Sequence, residues 1–202
     1  MTVADFDMPY PQYRCPSCAK DLPLGEARMT IMCAEHFPGG EIDFEVREAR
    51  PADRKAIEEI CDRALGEIEV DAFDRTYDIT AGINLIAEVD GKLAGLLSMA
   101  VTRGDLVIVL LSVYPEHQGR SVGSALLKAA IAYAGSRGLP LVRVSVSNDD
   151  IPLLYFYQRH GFTIYDIAIG RLVDDSGSAA AGFSGILSRD EIHLRRPVSD
   201  AR

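Results

Sequence analysis

Apolar residues recur with two different periods along the chain, and their order predicts strands mixed with helices. The segment FEVREAR, at residues 44–50, alternates apolar and charged positions, which is typical of a strand. Pro51 then introduces a helix that we expect to run through about Leu65. The next two apolar segments, NLIAEV and KLAGLLSMAVTR, flank Asp90-Gly91, a pair that favours a tight hairpin.

The second half continues this alternation of elements. Residues 106–113 are predicted to form a buried strand, and residues 122–137 a helix that Gly138 ends. LVRVSVS alternates as a strand, residues 151–160 favour a short helix, and FTIYDIAIG and EIHLRRPV supply closing strands. The order β-α-β-β-β-α-β-α-β-β indicates an α/β fold with a mixed, mostly antiparallel sheet flanked by helices. Residues 173–185, rich in Gly, Ala and Ser, predict a mobile surface loop.

Length and hydrophobicity set the domain organisation that we expect. The chain has 202 residues, 48% of them hydrophobic, which suits one main domain with a substantial core and a small appendage. We predict a disordered leader and a small module at residues 1–40, and the main domain at residues 44–198. No run of 18 apolar residues occurs and the N-terminus is polar and acidic, so we expect a cytoplasmic protein without a membrane segment.

Charge is distributed unevenly along the chain. A net charge of −9 disfavours nucleic acid and anionic membranes as partners and favours a cationic small molecule. Residues 117–148 nevertheless contain no Asp or Glu, which suits a polyanionic ligand. Residues 41–78 hold thirteen acids against six bases, so they predict either an exposed charged surface or an acidic entrance for a cationic acceptor.

Three of the four cysteines lie near the N-terminus with metal-ligand spacing. Cys15-x2-Cys18 is followed, after fourteen residues, by Cys33-x2-His36, an arrangement of two ligand pairs typical of a tetrahedral zinc site. All four ligands would come from protein, so the zinc would be structural; a disulfide, a redox pair or unbound thiols are the alternatives. The fourth cysteine, Cys61, lies in a helical apolar pattern and predicts a buried small hydrophobe.

A turn between a strand and a helix carries the clearest candidate for ligand binding. The segment VYPEHQGRSVGSALL joins the strand at residues 106–113 to the helix at residues 122–137. Its small residues leave consecutive backbone N–H groups at the positive end of the helix dipole, where a diphosphate fits. Helix capping explains the same residue types, and the dinucleotide pattern G-x-G-x-x-G is absent.

A second segment, one strand and one helix later, changes this interpretation. It runs from Asn148 through Tyr157 to Gly161-Phe162. Together the two segments resemble the GNAT-type N-acetyltransferase superfamily, whose Gln/Arg-x-x-Gly-x-Gly/Ala pattern is similar to residues 118–123 and whose Phe-Tyr-x-x-x-Gly-Phe pattern matches the second segment. The resemblance covers about residues 44–198 and, with the Cys3His pattern, implies a GNAT domain behind a zinc-ribbon-like module.

The resemblance also implies roles for individual residues. Backbone amides of the turn would hold the diphosphate of acetyl-CoA, while the strand before it would pair with the pantetheine arm. The acetyl-CoA-binding residues expected on this basis are Leu111, Val113, Gln118, Gly119, Arg120, Ser121, Val122, Gly123 and Ser124. Tyr157 would protonate the departing thiolate, or else be a packing aromatic. Asn148 would bond the cofactor or a water, or else end its strand.

Two points stay open at this level. Ser121 stands where the family pattern has its first glycine, so its side chain costs little in a helix but is strained if φ is positive. No general base is identifiable: His117 is expected to face solvent or phosphate, and His160 and His193 are expected to be peripheral. Acids of the first helix, or Asp78, are the remaining candidates for a proton relay through water.

The expected function is transfer of acetyl from acetyl-CoA to a primary amine by direct attack in a ternary complex. The acceptor is an unidentified small molecule or peptide, expected to be cationic, and a homodimer formed through the last strands is possible. Because of Ser121 and the missing base, a non-catalytic acyl-CoA-binding regulatory module with a structural zinc is the alternative. A zinc-mediated scaffold is the third hypothesis.

Overall fold

The computed structural model describes residues 42–174, 176–182 and 185–198. It also describes the backbone pairing of two short strands, β1 (Tyr13–Arg14) and β2 (Asp21–Leu22). The predicted zinc ligands Cys15, Cys18, Cys33 and His36 lie outside the described residues, as does the predicted leader. The zinc site and the division of the chain into two units therefore stay predictions.

A seven-stranded sheet forms the centre of the domain. Its strands are β3 (Glu45–Glu48), β6 (Ile83–Val89), β7 (Lys92–Thr102), β8 (Asp105–Val113), β9 (Leu141–Ser147), β10 (Thr163–Ala168) and β13 (Glu191–Pro197). They lie in the order β10-β13-β9-β8-β7-β6-β3, and every neighbouring pair is antiparallel except β8 with β9.

Helices cover both faces of this sheet. Helix α1 (Arg54–Leu65) ends at Gly66, which adopts the left-handed conformation, and its buried face packs in one apolar cluster. Helices α2 (Val122–Ser136) and α3 (Ile151–Arg159) contribute to the other, larger cluster. Cys61 is fully buried in the α1 cluster, as predicted, and burial raises the pKa of its thiol. Within the described residues no helix is both long and apolar enough to cross a membrane.

The predicted order of the main strands and helices is confirmed, but two short hairpins were missed. The first, β4 (Glu69–Ala72) with β5 (Arg75–Asp78), follows α1. Its turn residues Phe73 and Asp74 both have positive φ, a conformation normally indicated by Asn or Gly, so no turn was predicted there. The second, β11 (Ala180–Ala181) with β12 (Leu187–Ser188), lies partly in the predicted loop of residues 173–185.

Strand β8 departs from the prediction of a strand buried along its whole length. Its parallel pairing with β9 covers only Leu106 to Ile108, opposite Val142 to Val144. Beyond Ile108 the residues of β8 are only partly buried, and a register irregularity against β7 occurs at the same place. The two strands therefore separate, and a gap opens in the middle of the sheet.

Candidate active site

The gap beside β8 is lined by backbone groups that the sheet does not use. Tyr114 donates its N–H to the carbonyl oxygen of Ala94 at 3.0 Å, so alternation directs the backbone groups of Leu111 and Val113 away from β7 and into the gap. The Gln118 side chain reaches the same side and donates to the Val113 carbonyl at 3.0 Å. The other backbone N–H and C=O groups of Leu111 and Val113 face the gap and form a free strand edge there.

The turn after β8 presents a row of free amides at the start of α2. Among the described residues, none accepts a hydrogen bond from the N–H groups of residues 119–124, and the first bond into the helix runs from Ala125 N–H to Ser121 O at 2.9 Å. Gly123 faces Val113 across the turn, where an added Cβ would lie 3.6 Å from Val113 Cγ2. Helix dipole and free donors together make this turn suited to an anion.

Ser121 adopts the strained conformation of the two considered. Its φ is +67° and its ψ 2°, in the left-handed region, and its side chain makes no capping hydrogen bond. The strain of a non-glycine residue there is about 1–2 kcal/mol. The side chain is exposed, so it leaves the row of amides open.

Two polar side-chain atoms near the turn also lack hydrogen-bond partners among the residues that the structure describes. Within the described part of the chain, Arg120 Nε and His117 Nδ1 are buried without a hydrogen-bond partner. Leaving either atom without a partner costs free energy, because a buried polar group has lost its hydrogen bonds to water. An anionic ligand at the turn would provide the acceptor that Arg120 lacks.

Tyr157 lies on the buried face of α3. It is 2% exposed and packs edge-on against Phe156 and Phe162, with ring centroids 5.4 and 5.3 Å away. Burial raises the pKa of its phenol above the usual value of tyrosine, and the negative charge of Asp150 raises it further. No described residue hydrogen-bonds the phenol oxygen. The group is thus held protonated, as a proton donor must be before it acts.

The Asn148 amide is engaged with the chain that precedes β13. Its Nδ2 donates to the Leu187 carbonyl at 3.0 Å, and its Oδ1 accepts the N–H groups of Arg189 and Asp190, both at 2.9 Å. This is the strand-terminating role that the sequence also allowed. The catalytic role of Asn148 stays a prediction. Its amide oxygen already accepts two hydrogen bonds.

His160 and His193 were expected to be peripheral, but both contact other elements of the fold. His160 Nε2 lies 3.1 Å from Ser124 Oγ, and its Nδ1 lies 2.8 Å from the Phe156 carbonyl oxygen, so it links α3 to the first turn of α2. His193 is 8% exposed and lines a cavity of about 210 Å³ on the opposite face of the sheet. In β13 the alternation of EIHLRRPV could have indicated that His193 shares a face with Glu191.

The other candidate for a proton relay, Asp78, acts as a cap. Its Oδ1 accepts the N–H groups of Thr80 and Ala81 at 2.8 and 3.3 Å. The Thr80 hydroxyl, followed by these amides, lowers the pKa of the carboxyl, which makes it a weaker base.

Comparison with known proteins identifies the family of the chain. A model of the acetyltransferase (GNAT) family matches residues 54–162, which is more than half of the chain. The chain therefore belongs to the GNAT family of acetyltransferases. Mycothiol acetyltransferase from Clavibacter michiganensis subsp. michiganensis is 37% identical over 78 residues, which are 39% of this chain and 26% of that protein. The chain thus spans about a quarter of that relative's length.

Solved structures share the fold at lower identity. The ribosomal-protein-S18-alanine N-acetyltransferase from Escherichia coli is 19% identical with a TM-score of 0.59, over 79% of this chain and 97% of that one. A putative acetyltransferase from Salmonella typhimurium, solved with acetyl-CoA, is 21% identical with a TM-score of 0.60, over 78% and 95%. At these identities the likeness concerns the fold.

Proposed function

We propose that this protein transfers the acetyl group of acetyl-CoA to a primary amine, with both substrates bound at once. The observation that carries the proposal is the gap between β8 and β9, whose free strand edge leads directly to the free amides of residues 119–124. Family membership supports the same reaction class. Acetyl-CoA would supply the activated acetyl group as a thioester.

Each part of the chain would then have a separate task. The amides of residues 119–124 and the Arg120 guanidinium would bind the diphosphate, and Leu111 and Val113 would align the pantetheine arm as an added strand. A free N–H of β8 would stabilise the negative oxygen that develops as the amine attacks. Tyr157 would donate its proton to the departing sulfur, so that the thiol leaves neutral.

The test combines binding with turnover. Calorimetric titration with acetyl-CoA should give heat, and thermal unfolding should shift upward on its addition. Release of free thiol should then follow on addition of at least one amine from a panel of polyamines, aminoglycosides, amino acids, peptide N-termini and the des-acetyl form of mycothiol, the last chosen because of the Clavibacter relative. No heat and no thermal shift would reject acetyl-CoA binding. Binding without turnover on the whole panel would favour the non-catalytic module.

We also propose a structural zinc held by Cys15, Cys18, Cys33 and His36. Ligand spacing is its support, together with the small size of a module that has little core of its own. Elemental analysis of the purified protein should give about one zinc per chain. Well under one zinc, with unchanged stability of Cys15→Ser, would reject this site.

A further inference from the structure

We propose that Glu191 accepts the proton of the acceptor amine, and that His193 and Asp166 pass this proton to solvent. The inference rests on the proposed acetyl transfer, and it identifies where the amine binds and what deprotonates it. Glu191 and His193 lie on the face of β13 opposite Ile192 and Leu194, which pack in the cluster of α2 and α3. The amine would therefore approach from the face opposite Tyr157.

The three side chains form a row from the interior to the surface. Glu191 is 5% exposed, and its Oε2 lies 3.4 Å from His193 Nε2. His193 Nδ1 lies 3.4 Å from Asp166 Oδ2, on a side chain that is 62% exposed. Both ring nitrogens are buried, and neither has hydrogen-bond geometry to a described partner. An imidazole between two carboxylates, with no fixed bond on either side, can pass a proton from one to the other.

A cavity of about 370 Å³ opens directly onto Glu191. It is lined by β4 and by the segment before β11, through Asp71, Arg171, Leu172, Val173 and Asp174. Arg171 is paired with Asp74 at 3.0 Å, so the three carboxylates of the cavity outnumber its one cation. This volume is within the range of small-molecule sites, and its charge favours an ammonium ion.

The turn of the β4–β5 hairpin separates this cavity from the one at His193. The Phe73 N–H donates to Glu191 Oε1 at 3.0 Å, and the Phe73 ring lies 4.6 Å from the His193 ring. The Arg143 guanidinium also lies over the Phe73 ring, 4.4 Å from its centroid. Phe73 and Asp74 both hold positive φ, and strained backbone of this kind is concentrated at functional sites. The turn thereby excludes water from the Glu191–His193 contact.

The position of Glu191 relative to the gap makes the transfer feasible. Glu191 pairs with Ser147 of β9, and His193 pairs with Ser145, both beyond Val144, where β9 leaves β8. Because β13 pairs with β9, Glu191 is one strand removed from the gap, and neighbouring strands lie about 4.8 Å apart. The proposed transfer requires that an amine in the cavity reach past β9 to a thioester held in the gap.

In the proposed reaction the amine nitrogen loses two protons. The ammonium group gives one proton to Glu191, and the neutral amine nitrogen forms the bond to the acetyl carbon. The carbon–sulfur bond breaks, the thiolate takes a proton from Tyr157, and the nitrogen loses its second proton to give the amide. One proton leaves through Glu191, His193 and Asp166, and the other returns to the phenol through water.

The experiment is the pH profile of kcat/KM for an active amine, measured on the wild type and on Glu191→Gln. The Gln variant keeps an oxygen for the Phe73 N–H but cannot take the proton, so we expect kcat/KM to fall about 100-fold while the Kd for acetyl-CoA stays within about twofold. Its kcat/KM should rise about tenfold per pH unit up to the amine pKa, because the amine must arrive neutral. The wild type should be flat over part of this range. Glu45→Gln, at an exposed position of β3, is the matched control and should behave as the wild type.

Other charged and polar groups lie near this row, so their effects must be separated from it. They are Asp71, the Asp74–Arg171 pair, Arg143, Tyr165 and Asp174. Formate should partly restore activity to Glu191→Ala, which a purely structural role would not allow. His193→Gln should lower kcat and shift the acidic limb of the profile without changing acetyl-CoA binding.

Each outcome decides between the two proposals. Wild-type turnover with an equally active Glu191→Gln overturns this inference and leaves the acetyl transfer intact. A wild-type profile that rises about tenfold per pH unit throughout overturns it as well, even if the variants do not fold. A wild type that binds acetyl-CoA but acetylates no amine on the panel overturns both.

Discussion

The two faces of the central sheet carry polar groups that are assembled in different ways. On the face of α2 and α3, the groups suited to acetyl-CoA come from two short segments, residues 111–124 and Tyr157. On the face of α1 and the β4–β5 hairpin, the cavity at Glu191 takes its walls from β4, β13 and the chain before β11. The first arrangement is local in sequence, whereas the second joins positions more than a hundred residues apart.

The difference has a physical basis. A helix N-terminus presents its free amides wherever a strand turns into a helix, so a short segment contains nearly the whole anion site. A binding cavity for a small cation needs walls on several sides, and one segment cannot supply them. Substitutions on the first face should affect the use of acetyl-CoA, and substitutions on the second face should affect the use of the amine.

Among substitutions that test this difference between the two faces, Tyr157→Phe should have the largest effect on activity. Removing the proton donor should lower kcat about 100-fold and leave the Kd for acetyl-CoA unchanged. Because burial raises the pKa of Tyr157, the phenol stays protonated as the pH rises. Deprotonation of this phenol should therefore cause no decrease in kcat at pH values up to about 10. Tyr155→Phe, on the exposed side of α3, is the matched control for steady-state kinetics. A basic limb between about pH 8 and 10 that vanishes in Tyr157→Phe would contradict the raised pKa, whereas an unchanged kcat of Tyr157→Phe would contradict its role as proton donor.

Arg120→Glu should act on binding instead. Reversing the charge beside the free amides should weaken acetyl-CoA binding at least about tenfold by calorimetry. Lys128→Glu makes the same charge change on an exposed position of α2 and should leave the Kd within about twofold. Equal effects of the two substitutions would mean that general charge, not the turn, governs binding.

The main effect of Asn148→Ala should be on the stability of the fold. The substitution removes the hydrogen bonds that fix residues 187–190 ahead of β13, so the free energy of unfolding should fall by about 1–2 kcal/mol. Asn148→Asp keeps an acceptor for both N–H groups and should cost less, as measured by urea denaturation. If Asn148→Ala retained full stability but lost acetyl-CoA affinity, its side chain would belong to the cofactor site.

The smallest effect is expected from Ser121→Gly. Glycine relieves the positive φ but gains freedom in the unfolded chain, so the net stabilisation should be at most about 1 kcal/mol. The exposed Ser121 side chain leaves the amides accessible, so kcat and the acetyl-CoA Kd should stay within about twofold, as for Ser121→Ala. A gain of about tenfold in affinity would instead mean that Ser121 impairs the site.

The sequence predicted the main elements well where local patterns specify them. Alternation, the Asp90-Gly91 hairpin and the strand-to-helix turn each depend on neighbouring residues, and the structure has all three. It missed β4 and β5 because their turn uses Phe73 and Asp74 in place of the small residues that favour positive φ. It also predicted a uniformly buried β8, since the separation from β9 depends on strands far apart in the chain.

By itself, the sequence determined the family, the order of elements and the turn that is suited to an anion. Only the tertiary structure decided that Ser121 has positive φ, that Asn148 holds the chain before β13, and that His193 lies between two carboxylates. The reason is that periodicity and capping are properties of contiguous residues. The gap in the sheet and the environment of Glu191 arise from strand pairing and packing between distant segments.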